Sequence, residues 1–310
     1  MVAFSGWEMP VQYTGIIEEH LHTREKAGLF DICHMGEIFV KGEGASRGVD
    51  KLVTCSVQDM PEGRCRYGFL LNDTGGIIDD LIVFKISEKE FMLVVNAGTL
   101  DKDREWIAGR ISRDVSFFDD SENVAKLDLQ GPLSGRIMAD LAGKDVIDSL
   151  KRYWFTRVEI EGIRVLLSRT GYTGELGFEL FFPTEGAEIL WDRLLENQEV
   201  KPIGLGARDT LRMEMGYSLY GHEIDEEKNP IEASLERFIH MDKDFTGKEA
   251  LVGLVPEKML TGFVCEGRRS AREKFSVKVR DETVGGVTSG SFSPCLKKGI
   301  GLCYIKKEFC

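Results

Sequence analysis

Two adjacent acids, Asp79 and Asp80, interrupt an otherwise apolar run, Gly75-Gly-Ile-Ile-Asp-Asp-Leu-Ile-Val-Phe84, that reads as a strand entering a core. Neighbours on a strand point to opposite faces, so the pair does not read as a shared catalytic dyad; each acid meets its own environment. A carboxylate in a partly desolvated cleft can accept a proton or stabilise a developing cation. The same pattern also fits a turn acid followed by a strand-edge acid. A second cluster runs from Ser168 to Leu180 as Ser-Arg-Thr-Gly-Tyr-Thr-Gly-Glu-Leu-Gly-Phe-Glu-Leu. Gly171, Gly174 and Gly177 permit close backbone approach there, Tyr172 can stack on a flat ring, and Glu179 can accept two hydrogen bonds from an amidine-like heterocycle edge. A tight β-turn explains the same residues. Finally, Gly204-Leu-Gly-Ala-Arg-Asp opens a helix, where Arg208 offers a planar fork to a carboxylate or ring oxygen, or pairs with Asp209 or Glu214. This segment and Gly42-x-Gly44 fail the dinucleotide-binding pattern, because Asp209 and Arg47 stand where the third glycine belongs.

The elements that must position these residues alternate. Gly15 to Leu29 reads as a helix ending near Gly28, Glu37 to Lys41 as a strand, and Ala45 to Thr54 as a short helix. Tyr67–Leu71, Leu81–Ile86 and Phe91–Asn96 are predicted strands, followed by a helix over Thr99–Ile111, a strand at Ala125–Leu129 and a helix opening at Pro132. The second half repeats the alternation, with a hairpin at 156–168, a strand at Phe178–Phe182 and a helix at Ala187–Glu196. Strands separated partly by turns and partly by helices favour an α+β class over a doubly wound parallel sheet. From about Gly262 strand-like pieces with Gly and Ser turns dominate, which predicts a small all-β domain beyond a boundary near 252–256.

Composition narrows the function class. The chain has 310 residues, 42% hydrophobic and 30% charged, long enough for two or three packed units. Its 40 Lys and Arg against 52 Asp and Glu give a net charge of −12, which disfavours nonspecific nucleic-acid binding. The charge is uneven, since eleven Lys and Arg stand against six Asp and Glu from Pro256 to Cys310; a basic end on an acidic body suits an acidic protein partner or simply a solvated edge. Seven cysteines include no Cys-x-x-Cys pair, and His20 and His22 would not share a helix face, so no metal site is expected. The apolar runs are strand-sized, predicting no membrane span, and the N-terminus lacks leader character, which reads as cytoplasmic.

Taken together, the segments resemble the glycine cleavage T-protein (aminomethyltransferase) family, whose characteristic words appear in order along nearly the whole chain. They include Phe4-Ser-Gly-Trp-Glu-Met-Pro, Phe30-Asp-Ile-Cys-His-Met-Gly-Glu, Gly75-Gly-Ile-Ile-Asp-Asp-Leu, Val94-Val-Asn-Ala, Gln130-Gly-Pro and Arg169-Thr-Gly-Tyr-Thr-Gly-Glu. Gly206-Ala-Arg-Asp, Leu219-Tyr-Gly-His-Glu-Ile-Asp-Glu, Phe245-Thr-Gly-Lys-Glu-Ala and Thr288-Ser-Gly-Ser-Phe-Ser-Pro continue the series. The resemblance implies a folate-binding α+β region of two ferredoxin-like halves over 1–252, divided near 150, and a β-barrel domain over 256–310. It implies that Asp80 faces the pterin near N5 and N10, that Glu179 holds the pterin's amino-amide edge, and that Arg208 binds the folate. Tyr67, Asn96, Tyr172 and Met35 match family positions lining that pocket. The implied reaction moves a one-carbon unit from the aminomethyl-dihydrolipoyl arm of a lipoylated H-protein to tetrahydrofolate, releasing ammonia and needing no metal.

Two departures stand out: Cys33 occupies a position where serine is usual, and Glu236-Arg237 one where Ser-Trp is common. The family pattern also continues beyond Phe309 with late strands and a folate-contacting arginine, so a shortened barrel is expected here. Within the same fold class, a tetrahydrofolate-dependent demethylase of a small methyl donor is the alternative activity. A noncatalytic folate-binding protein of iron-sulfur assembly would carry a Lys-Gly-Cys-x-x-Gly-Gln-Glu word, which this sequence lacks.

Overall fold

A computed structural model describes all 310 residues. It has three main sheets, and their order shows a duplicated path. The five-stranded sheet runs Arg64–Leu71, Ile77–Ser87, Glu90–Val95, Gly36–Lys41, Ser116–Asp119 across its width. The six-stranded sheet runs Phe155–Ile160, Ile163–Ser168, Gly177–Pro183, Val124–Gln130, Ala27–Asp31, Val200–Pro202. Each half follows the chain as strand, helical segment, three antiparallel strands, helix, final strand, as expected of two ferredoxin-like halves. The helices Ala45–Leu52 and Leu100–Ala108 serve the first half, and Ser134–Ala142, Lys144–Ser149 and Ala187–Leu195 the second. Only Ala27–Asp31 breaks the parallel between them: it inserts between Val124–Gln130 and Val200–Pro202, pairing antiparallel with the former and parallel with the latter.

That insertion corrects the expectation of a helix running to Gly28. The helix spans Ile16–Glu25, and a new strand starts at Ala27. Ala27, Gly28, Leu29 and Phe30 are all buried, the continuous apolar pattern of a central strand rather than a helix face. Gly28 is needed for closeness, because a Cβ there would lie 2.5 Å from Thr23 Oγ1 and 2.6 Å from Ile203.

Aromatic side chains pin the two sheets together. Phe84 of the first half packs at 5.3 Å ring separation against both Phe155 and Phe181 of the second, with Cys65, Met92 and Val94 completing the layer. Each fully buried phenylalanine contributes roughly 1.5–3 kcal/mol of burial free energy. Met35 bridges this layer and a neighbouring one of Phe30, Ile32, Ile203, Ala207 and Leu211.

The remaining chain forms a small all-antiparallel sheet in the order Lys258–Val264, Lys298–Lys306, Glu282–Ser293, Ser276–Val279. It docks through buried polar contacts: Arg212, on the helix Leu205–Glu214, reaches Ser289, and Glu223 receives the Thr288 hydroxyl. No helix is long and apolar enough to cross a membrane.

Candidate functional site

Asp80 lies near the start of the strand Ile77–Ser87, where the ladder with Arg64–Leu71 slips by one residue between Leu70 and Leu71. On the other side the pairing of Ile82 with Val94, continued two residues, places Asn96 opposite Asp80 just beyond the end of the strand Glu90–Val95. The Asn96 side-chain nitrogen donates to Asp80 Oδ1 at 2.8 Å and to Asp79 Oδ1 at 2.9 Å, and its backbone N–H donates to Asp79 Oδ2 at 2.9 Å. The Tyr67 hydroxyl donates to Asp80 Oδ2 at 2.8 Å. Phe69 and Phe238 hold that phenol by edge contacts at 5.2 and 4.8 Å.

The two acids therefore have different surroundings, as strand alternation predicts, while sharing Asn96 as donor. Asp79 is fully buried, and Asp80 is half-buried. Burial, and next the neighbouring Asp79, push the Asp80 carboxyl up to about 7, against the pull of the Tyr67 and Asn96 hydrogen bonds. A carboxyl balanced there can hold or release a proton near neutrality.

Glu179, Arg208 and Tyr172 gather around a second acid, Asp128. Strand pairing sets Glu179 between Ser168 and Asp128. The Thr170 hydroxyl donates to Glu179, and Lys126 Nζ stands 3.6 Å away. Arg208, in the first turn of Leu205–Glu214, faces Asp128 at 3.5 Å and lies over the Tyr172 ring at 4.9 Å. Tyr172 also stacks on Tyr217 at 5.8 Å and donates its hydroxyl to the Ser218 carbonyl. The phenol lies within electrostatic reach of both Asp80 and Arg208, so the two groups border a common region.

Several polar atoms in this region are buried without a hydrogen-bond partner: His34 Nδ1, both carboxyl oxygens of Glu37, and Asp128 Oδ2 and Arg208 Nη1, which face each other as an ion pair. Burial, followed by the Glu179 charge, pushes Asp128 up to about 7, and burial pushes Glu37 up to about 8. Burial, with Arg208 and Lys126 adding to it, drives the His34 imidazole down to about 3, so it is neutral. Unsatisfied buried groups cost roughly 1–3 kcal/mol each, so such a cluster suits a polar heterocycle that supplies the missing partners. Cys33, the departure from the usual serine, packs its thiol against the Lys126 carbonyl at 3.5 Å, and burial raises it to about 12, an unreactive thiol.

Asp80, Asn96 and Tyr67 thus form one contact group, Glu179, Arg208 and Tyr172 form another, and Met35 contributes to the apolar layers between the halves. Residue pattern alone gives no role to Glu37, Lys126, Asp128 or Gln130. Lys126, Asp128 and Gln130 alternate along Val124–Gln130 with Ala125, Leu127 and Leu129, and all six are buried. A polar alternation inside an otherwise apolar strand was the available signal.

The potential metal donors His20, Glu214 and Cys295 also converge. Glu214, however, already accepts from His20, Ser293, the Cys295 backbone N–H and Arg24, the last at 3.2 Å, so a metal cation there would have to displace a guanidinium.

Comparison with known proteins matches residues 1–243 to the GCVT N-terminal domain and residues 258–310 to the glycine cleavage T-protein C-terminal barrel domain. The aminomethyltransferase of Halothermothrix orenii is 44% identical over 99% of this chain and 88% of its own length. That of Desulfitobacterium hafniense is 42% identical over 100% and 87%. The crystal structure of glycine cleavage system aminomethyltransferase T from Bartonella henselae superimposes with a TM-score of 0.92 at 33% identity, covering 98% of this chain and 85% of that one.

Proposed function

The chain belongs to the glycine cleavage T-protein family, and on that premise we propose that it is a tetrahydrofolate-dependent aminomethyltransferase acting on the aminomethyl-dihydrolipoyl arm of a lipoylated H-protein. The reaction leaves methylenetetrahydrofolate, ammonia and the free dihydrolipoyl carrier. The carbon exchanges its bonds to sulfur and to the amine for bonds to N5 and N10, and the two N–H protons of the folate end on the leaving thiolate and amine.

The observation that carries this reading is the Asp80 carboxyl, gripped by Tyr67 and Asn96 and balanced near neutrality in a half-buried site. As the carbon loses its first leaving group it becomes iminium-like, and a fixed carboxylate beside it lowers the barrier electrostatically. The same group can relay a proton from a folate nitrogen. Glu179 has an acceptor edge for the pterin's amino-amide side, Arg208 supplies a guanidinium held at 3.5 Å from Asp128, and Tyr172 offers an aromatic face; Tyr67, Asn96 and Met35 line the same pocket on this proposal. The buried Glu37 carboxyl and His34 Nδ1, which have no hydrogen-bond partner, support a polar heterocyclic ligand over an apolar one.

The test is methylenetetrahydrofolate formation with ammonia release from tetrahydrofolate and aminomethylated H-protein, comparing the chain with Asp80→Asn. Activity is expected in the parent and a loss of about 10²–10⁴-fold in the variant, the usual worth of a positioned acid–base group. Equal turnover by the two across a range of pH would remove Asp80 from the chemistry. No product from the parent, despite tetrahydrofolate binding, would turn the assignment toward another methyl donor. The exposed Arg268, Arg269 and Arg272 of the basic C-terminal unit are proposed to meet the carrier; reversing their charge should raise KM for H-protein, and an unchanged KM would exclude that surface.

A further inference from the structure

Behind Asp80, on the side away from Tyr67, lies a carboxyl that the proposed reaction does not use. Asp103, on the helix Leu100–Ala108, is fully buried, and neither of its oxygens receives a hydrogen bond from a donor group. The nearby Thr99 hydroxyl donates to the Asn96 carbonyl at 3.0 Å, and from that position it also favours the ionised form of Asp103. The Asp103 carboxyl lies within hydrogen-bonding reach of Asp79, itself fully buried. The nearest cation, the Lys102 ammonium, favours a charge on Asp103 without bonding to either acid, being engaged by the Tyr220 hydroxyl at 2.7 Å and by Glu226 at 2.8 Å, toward the surface. Tyr220, Glu226, Asp80 and Tyr67 are the other titratable groups facing this corner, and none is cationic.

Two carboxylates in contact in a dry interior cannot both be ionised, whereas a carboxylic acid and a carboxylate form a strong short hydrogen bond. We propose that Asp79 and Asp103 share one proton and serve as positioning residues that set how much negative charge Asp80 faces. Asn96 transmits the effect. One nitrogen donates to Asp79 Oδ1 and to Asp80 Oδ1, so the amide cannot turn without releasing both, and the two oxygens are held a single donor apart. With the proton toward Asp79, that side of Asn96 is neutral, the charge sits on Asp103, and the upward push that an ionised Asp79 exerts on Asp80 is held back. Burial, followed by the Asp103 charge, holds Asp79 well above the usual carboxylate range, which agrees with that placement. The inference rests on the role proposed for Asp80 but not on the identity of the carbon donor.

Asp103→Asn is the discriminating variant. It is isosteric and its amide can donate to Asp79, so the pair keeps a hydrogen bond without the shared proton. A full charge then forms on Asp79, next to Asp80, and the Asp80 titration should move up by about one pH unit, the size of effect a close like charge exerts. Carbon-13 NMR of labelled aspartate carboxyls reads this without substrate, the Asp80 signal being identified by its loss in Asp80→Asn. In the parent protein one buried aspartate carboxyl should stay protonated above the range where Asp80 titrates. The acid limb of kcat/KM should follow the same upward shift. An Asp80 titration equal in parent and variant overturns the proposal, as does a parent in which every aspartate is ionised at neutral pH. A variant slower by the same factor at all pH, with no shift, would make Asp103 a structural residue only. Absence of transfer activity in the parent would count against the assigned reaction, leaving the NMR result to judge the proton pair by itself.

Discussion

Arg212→Met tests how firmly the C-terminal sheet is tied to the body. Arg212 is 2% exposed and Glu223 fully buried. Arg212 Nη1 donates to Glu223 Oε2 at 2.8 Å and to the Tyr217 carbonyl at 2.9 Å, Nη2 donates to Ser289 Oγ at 3.1 Å, and Nε to Asp209 at 2.8 Å. Methionine fills a similar volume without a charge. It leaves the Glu223 carboxylate with only the Leu219 N–H at 3.0 Å and the Thr288 hydroxyl at 2.6 Å, and it strips the Tyr217 carbonyl of its donor. Breaking a buried pair from one side costs about 3–5 kcal/mol, and the half-exposed Asp209 adds little. At about 2.1 cal/mol/K of unfolding entropy per residue, a chain of 310 residues loses roughly 1.5 °C per kcal/mol. The expected fall in Tm is therefore about 5–8 °C by calorimetry, with a matching drop in the urea midpoint. Adding Glu223→Gln should recover part of the loss, because the stranded charge is gone. A single variant within 1 kcal/mol of the parent, or a double variant as unstable as the sum of the singles, would refute the claim that this pair acts as a buried unit.

Tyr67→Phe removes a donor that favours the ionised form of Asp80, so the acid limb of kcat/KM should move above about 7, by roughly 1–2 pH units if the bond is worth ~1.5–3 kcal/mol; a profile that only scales down would deny the link. Glu37 binds its proton more tightly when folded, about 8 against an ordinary 4.5, chiefly through burial. Its contribution to stability is thus complete below pH 4.5 and lost as pH rises through about 8. Glu37→Gln should show a flatter decline in urea midpoint between pH 5 and 8, and a slope equal to the parent's would contradict that assignment. Gly76→Ala would put a Cβ 1.8 Å from the Glu226 carbonyl oxygen, displacing the segment whose Asp225 and Lys228 carbonyls accept from the Ile77 N–H. The expected loss is about 1–3 kcal/mol by urea unfolding, and a neutral substitution would mean that the segment yields freely.

Residue pattern alone marks the candidate clusters, the family resemblance assigns their roles, and what neither marks has identifiable causes. The Asp79–Asp80 pair stands out because acids are costly in an apolar strand, and Glu179 because it follows a glycine-rich turn. Asn96 carries no local signal of its own; its importance comes from lying opposite Asp80 across a ladder whose register the sequence does not print. Asp103 sits among Asp101, Arg104 and Glu105 and looks like one more solvated charge. Its spacing of three and four residues from Trp106 and Ile107, both buried, marks it as facing inward, but only once the helix phase is known. Gly28 misled because glycine near the end of a periodic stretch commonly stops a helix, whereas here it lets a strand approach Ile203.

The insertion of Ala27–Asp31 between strands from much later in the chain has a consequence for biosynthesis. Its neighbours, Val124–Gln130 and Val200–Pro202, leave the ribosome roughly a hundred and a hundred and seventy residues after it. At about 5–20 residues per second the wait for the second neighbour is on the order of ten to thirty seconds. During that time an almost wholly apolar strand has no permanent edge to join, and the nascent chain must shield it by transient collapse or by a chaperone. The first half, whose five strands all lie between residues 36 and 119, can close its sheet while the second is still being made.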